Sequence, residues 1–170
     1  MIKPTVALVS FKDVTIEFLK ENNIDAILLD VDNTVSPPSS KVIYEGVQDW
    51  LSEIKKSGID VVICSNNFKK RVYPFAKSIE LDCVAMSFKP LPFGFIRAKR
   101  KLSVAPKNAL VVGDQIFTDI LGANLAGMKS VLLVPQSPDK GKSIKIRRKM
   151  ELPIRKKLYG EDYLSKYSNF

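Results

Sequence analysis

The sequence predicts an α/β fold, an open parallel sheet with helices on both faces. Three observations point there. Short apolar runs alternate along the chain with segments of helical periodicity. The runs are apolar throughout, as strands covered on both faces are. Polar residues or glycine follow most of the runs, and sheets of this kind place their sites at such strand exits. The length, 170 residues, suits one compact domain.

Ala26-Ile27-Leu28-Leu29 is the first strand and runs into Asp30. Pro37-Pro38-Ser39-Ser40 is a loop. Tyr44 to Lys56 carries Val47, Trp50, Leu51 and Ile54 at amphipathic-helix spacing, which puts Trp50 in the core. Ser57-Gly58 ends that helix. Ile59 to Cys64 is the second strand, rich in β-branched residues. Asn67 to Ser78 reads as a helix with Pro74 inside it. Val84-Ala85-Met86 is a short strand, and Phe93 to Leu102 a helix that contains Gly94. Ala109 to Val112 is a strand leading to Gly113-Asp114. Ile116 to Ala126 is a helix closed by Gly127. Ser130 to Val134 is the last strand, stopped by Pro135. No internal repeat is visible. The chain divides into a core, residues 1–135, and a basic C-terminal extension, residues 136–170.

Composition excludes several classes. A hydrophobic share of 45% with 26% charged residues builds a core without disulfides or a structural metal. The absence of histidine rules out Ser-His-Asp and Cys-His catalysis and histidine-bound metals. Cys64 and Cys83 read as small buried hydrophobes in a reducing compartment. The N-terminus lacks a signal-peptide pattern, and no apolar run reaches the roughly 18 residues of a membrane span. The expectation is a cytoplasmic protein.

The net charge of +9 is uneven. Residues 1–139 hold 17 Lys+Arg and 15 Asp+Glu, whereas residues 140–170 hold 10 and 3. Ile144, Ile146, Met150, Leu152 and Ile154 interleave with the basic residues. Such a segment suits an anionic membrane surface, suits nucleic acid less well, and also reads as a solvated tail. Pro153 argues against one continuous helix there.

The chemistry gathers at strand exits. Asp30-Val31-Asp32-Asn33-Thr34 follows the first strand, with Asp30 and Asp32 on one side of extended backbone. Like charges so close invite a divalent cation. Ser65-Asn66-Asn67 follows the second strand and opens a helix, where an anion is welcome. Lys89-Pro90 follows the weak strand. Gly113-Asp114 and Asp119 surround another helix start. Each piece alone also reads as a capped turn or a surface feature. Together, in this order, they make a site with hard oxygen ligands for Mg²⁺ and one cation for a phosphoryl group. The residues alone do not choose between Asp30 and Asp32 as nucleophile.

In these motifs the sequence resembles the haloacid dehalogenase superfamily of phosphatases over about residues 24–135. Asp30-x-Asp32-x-Thr34, Ser65, Lys89 and Gly113-Asp114-x-x-x-x-Asp119 match its four motifs. Ser-Asn-Asn, Lys-Pro and Gly-Asp-Gln-x-x-Thr-Asp look like its YqeG-type, subclass IIIA branch. That branch is related to mitochondrial phosphatidylglycerophosphate phosphatases. The resemblance implies a Rossmann-like fold with Asp30 as nucleophile, Asp32 as acid and base, and Lys89 holding charge. It implies phosphoryl contacts from Thr34, Ser65 and Asn66. It implies Mg²⁺ on Asp30, Asp114 and the backbone carbonyl of Asp32, with Asp119 in support.

Neither gap between motifs holds a cap domain, so an open, capless site is expected. Open sites suit bulky substrates. The expected function is Mg²⁺-dependent phosphomonoester hydrolysis through an aspartyl-phosphate. The expected substrate is phosphatidylglycerophosphate, met by peripheral contact with the inner membrane face. The alternatives are a phosphoprotein or polynucleotide-end phosphatase and an inactive binding module. A phospho-acceptor signalling domain would need a different motif order.

Overall fold

The structure, a computed structural model, describes residues 2–167. The last residues of the expected extension, 168–170, lie outside them. Six parallel strands form one sheet: β1 (Val6–Ala7), β2 (Ala26–Leu29), β3 (Asp60–Cys64), β4 (Asp82–Val84), β5 (Ala109–Gly113) and β6 (Lys129–Leu132). Their spatial order is β1-β6-β5-β2-β3-β4. The chain moves outward from β2 to β4, then returns to the other side of β2. The switch point therefore lies between β2 and β5, where sites form in open sheets.

Residues alternate between the two faces, as extended backbone requires. Ile27, Leu29, Ile63, Leu110 and Val112 meet α1 (Ile16–Glu21), α2 (Val47–Lys56) and α3 (Lys69–Ser78). Leu28, Val62, Cys64 and Val111 meet α4 (Pro92–Leu102) and the end of α5 (Leu121–Leu125). Trp50 is buried on α2, donates from Nε1 to the Val14 carbonyl at 3.0 Å, and meets Phe11 edge-on. Both cysteines are free. Burial pushes the Cys64 thiol up to about 11, so it acts as a hydrophobe.

Several elements differ from the sequence expectation. The N-terminal strand β1 and helix α1 were not expected. β1 is two residues long, too short to show a period, although Thr15 caps α1 by accepting from the Phe18 amide at 3.1 Å. The fourth strand is Asp82–Val84, because Ala85-Met86 turns away and Met86 takes φ 47°. Helix α3 starts at Lys69, since Phe68 is still extended. The segment expected as one helix from Ile116 to Ala126 opens as a π-helical turn over Ile116–Ile120, and α5 follows it.

The largest difference is in the extension. Residues Lys142–Tyr159 form one helix, α6, straight through Pro153. A short α7 (Tyr163–Lys166) follows. Pro153 is exposed and its missing donor costs one bond. Buried anchors on both sides, Arg148, Glu151 and Arg155, hold the helix across that gap. Ile154, Leu158 and Tyr159 pack on Ile116, Ile120 and Leu132.

Gly94 is also explained. A Cβ there would stand 2.3 Å from the Ser87 carbonyl oxygen, so α4 can approach the strand-end loop only without one.

Gly94→Ala is expected to destabilise by about 1–3 kcal/mol in urea unfolding, despite the better helix propensity of alanine. Pro153→Ala is expected to stabilise by about 1–3 kcal/mol in the same assay, because it restores a bond inside a continuous helix.

Candidate active site

Asp30 leaves β2 with its amide bonded to the Val112 carbonyl of β5 at 2.9 Å. This fixes it at the switch point, and its side chain turns inward among Lys89, Asp114 and Asp119. All four are nearly or fully buried. The Lys89 ammonium lies 2.5 Å from Asp30 Oδ1 and 2.6 Å from Asp119 Oδ1. Burial would lower its pKa, but the two carboxylates outweigh that and hold it well above its ordinary value. Lys89 is therefore a fixed positive charge.

A side chain from the neighbouring strand exit places the lysine. Asn66 Oδ1 accepts from the Lys89 amide at 2.6 Å and from Ser87 Oγ at 2.9 Å, and Asn66 Nδ2 donates to the Lys89 carbonyl at 3.0 Å. Asn66 was expected to bind phosphoryl oxygens; in this structure its amide braces the Lys89 loop. Ser65 Oγ accepts from the Asn67 backbone and side-chain amides at 3.2 and 3.3 Å. Thr34 is buried, and its hydroxyl has no partner.

Oxygens of Asp30, Asp114 and Asp119 all lie within 4.8 Å of one another. Gly113 permits this, because a Cβ on it would sit 2.4 Å from Asp119 Cγ. Burial raises the Asp30 carboxyl well above the usual range, and Asp119 and Asp114 add to the rise against the pull of Lys89. Burial also pushes Asp114 up to about 6, opposed by Arg148. Both Asp119 oxygens accept bonds, from Lys89 and from the Gln115 amide at 3.1 Å. Asp114 Oδ1, by contrast, is buried without a partner. Three carboxylates against the Lys89 ammonium and the Arg148 guanidinium leave a net negative charge. The donor set therefore fits a hard divalent cation, with Asp114 Oδ1 as an uncommitted ligand.

Asp32 stands apart from this carboxylate cluster. Its Oδ1 accepts from the Ser39 amide at 3.0 Å and from the Arg71 guanidinium, and its Oδ2 from Asn67 Nδ2 at 2.8 Å. It is half-buried, open to water where Asp30 is not. Its side chain does not share the three-carboxylate group.

Sequence reasoning missed Arg71, Asp139, Arg148, Glu151 and Arg155 as neighbours of the site. Arg148 donates to the Asp114 carboxylate, to the Asp114 carbonyl at 2.6 Å, to Asp139 at 2.6 Å and to Glu151 at 3.2 Å. Arg155 donates to the same Asp114 carbonyl and to Glu151. Glu151 Oε1 in turn accepts the Ile116 amide at 2.7 Å, capping the π-helical turn. Asn33, in the first motif, donates to Asp139 at 2.9 Å. Only the two arginines, three residues before and four after Glu151, hinted at a buried network, and a solvated face gives the same pattern.

A family profile of haloacid dehalogenase-like hydrolases matches residues 17–127. The probable phosphatase YqeG of Bacillus subtilis is 33% identical over 141 residues, covering 83% of this chain and 82% of its own. The mitochondrial phosphatidylglycerophosphatase GEP4 of Saccharomyces cerevisiae is 30% identical over 147 residues, covering 77% of each chain. A crystal structure of an uncharacterized protein from Listeria monocytogenes has the same fold, with a TM-score of 0.56 at 19% identity, over 67% of this chain and 79% of that one. The matched span contains the whole buried group of Asp30, Lys89, Asp114 and Asp119, and on this evidence the chain belongs to the haloacid dehalogenase-like hydrolases.

Proposed function

We propose that this hydrolase is a Mg²⁺-dependent phosphomonoesterase that works through an aspartyl-phosphate on Asp30. Its proposed substrate is a phosphorylated lipid head group, phosphatidylglycerophosphate. The observation that carries the reaction is the buried Asp30–Lys89–Asp119 contact beside the uncommitted Asp114 oxygen. The phosphatase names of the two relatives support the reaction, and the name of the yeast relative supports the substrate.

In this reading Asp30, Asp114 and the Asp32 carbonyl hold the cation, with Asp119 in support. The cation supplies charge neutralisation for the phosphoryl oxygens and for Asp30. An Asp30 oxygen attacks phosphorus as the ester P–O bond breaks. Asp32, at the solvent side, gives its proton to the leaving oxygen. It then takes a proton from the water that cleaves the Asp30–phosphorus link, which releases phosphate and restores both carboxyls. Lys89 keeps Asp30 in place and offsets phosphoryl charge. Thr34 Oγ1 and Ser65 Oγ are the hydroxyls at hand for phosphoryl oxygens, and Asn66 contributes through the loop it braces.

Two surface features support contact with a lipid surface. Phe68, Phe88 and Leu91, on the two strand-exit loops that Asn66 ties together, and Phe93, in the first turn of α4, are each at least half exposed. Helix α6 exposes Lys145, Ile146, Lys149 and Met150 to solvent. No helix among the described residues is long and apolar enough to cross a membrane.

Phosphate release from phosphatidylglycerophosphate in mixed micelles tests the reading, with an aryl phosphate beside it. Release is expected to need Mg²⁺, to exceed release from the aryl ester, and to fall on the order of a thousandfold or more in Asp30→Asn. Turnover of the aryl ester alone would remove the lipid assignment and keep the chemistry.

The carboxylate cluster also predicts a pH dependence. Asp114 is raised from 3.8 to about 6, so the native state binds more protons than the unfolded one between those values. The Asp114 contribution to metal-free stability is then greatest below that window and declines as pH rises through it. A bound cation removes the penalty, because it binds the ionised form. The gain in Tm on adding Mg²⁺ is expected to grow as pH rises through this window and to be small at its acid end.

A further inference from the structure

A cleft of about 440 Å³ opens beside Asp32. Its polar lining is Ser39, Ser40, Lys41, Lys70, Arg71 and Ser78, three cations and three hydroxyls with no carboxylate. Two of its lining residues meet at the candidate active site. The Ser39 amide and the Arg71 guanidinium both donate to Oδ1 of Asp32. Through these two residues the cleft adjoins the carboxylate that would serve the leaving group.

The charges there have no local reason. Lys69, Lys70 and Arg71 open helix α3, which has no acidic residue in its first turn. Cations are disfavoured at that end of a helix. Lys41 and Lys70 are exposed and have no hydrogen bond or ion pair among the described residues. Arg71 bonds only through Nη2, which leaves Nε and Nη1 as donors. Unpaired cations that converge on a cleft repel one another until an anion joins them.

We propose that this cleft is a subsite for a second anionic group of the substrate, a phosphodiester joined by a short linker to the phosphomonoester that Asp30 attacks. Arg71 suits a phosphodiester because its planar fork offers two parallel donors. Lys41 and Lys70 add charge from the two walls. A substrate anchored there presents its leaving oxygen on the Asp32 side, so the subsite orients as well as binds. The proposal rests on the phosphomonoesterase reading of Asp30 and not on the lipid one. The same phosphodiester chemistry occurs in a membrane lipid and in a water-soluble head group.

The test measures binding by calorimetry, with Mg²⁺ present, to Asp30→Asn protein, which does not consume the ligand. One probe is deacylated phosphatidylglycerophosphate, which carries the phosphodiester and the terminal phosphomonoester. The other is glycerol 3-phosphate, which carries the monoester alone. The first is expected to bind at least about tenfold tighter, as a charge-assisted contact predicts. Adding Lys41→Ala and Lys70→Ala is expected to cut that ratio about tenfold. Equal affinity for the two probes would overturn the subsite, as would a ratio that the two lysine changes leave intact. The same lysine variants with active Asp30 are assayed on the intact lipid in neutral-detergent micelles. A similar loss there supports a shared phosphodiester contact. A loss confined to the lipid would mean that these lysines meet the lipid surface, and it would also overturn the subsite. If wild type hydrolyses neither compound while the binding ratio holds, the subsite stands and the phosphatase reading fails.

Discussion

Burying Asp30, Asp114 and Asp119 within 4.8 Å of one another is the constraint from which much of this structure follows. An isolated carboxylate in such a place would take up a proton. Here each has a cation brought to it from a distance in sequence. Lys89 reaches across from the exit of β4 and holds two of them. Asn66 grips the backbone of Lys89 at both its amide and its carbonyl. Gly113 gives up its side chain so that Asp119 can close in. What remains is a net negative charge and one unshared buried oxygen, the condition that a divalent cation satisfies.

The third carboxylate draws in the C-terminal helix. Arg148 and Arg155 carry positive charge toward Asp114, but Asp139 and Glu151 arrive with them and cancel it. The helix therefore anchors Asp114 without neutralising the site. Removing one member would leave its partner charged and buried, which costs far more than the pair contributes. The basic composition of the extension thus has two origins. Arg148 and Arg155 are internal, while Lys145 and Lys149 face water.

The sheet was legible in the sequence because both of its faces are covered, so its strands are plain apolar runs. Asp30, Lys89, Asp114 and Asp119 were legible because they sit at strand exits in a fixed order. The resemblance named Asp30 as nucleophile; the structure sets Asp30 and Asp32 apart physically, one buried against Lys89 and the other half-buried against Arg71. The rest needed tertiary contact. A two-residue strand such as β1 has no period. The helix across Pro153 exists because Arg148, Glu151 and Arg155 are buried on both sides of the proline, and burial of arginine is invisible in a list of charges. The π-helical turn at Ile116 depends on a glutamate 35 residues further on. Gly94 reads as a weakness of α4 until Ser87 is seen against it.

Arg148 and Arg155 follow every strand of the sheet in the chain, and this orders events during synthesis. Once β6 has left the ribosome all six strands are made, but Asp114 still lacks the two arginines that anchor it. The centre is complete only when α6 has emerged and docked. Any event that detaches α6 later, such as a cut in the exposed residues 140–142, leaves the centre incomplete again. Helix α6 thus works as a keystone, set after the arch is built and bearing on its most charged point.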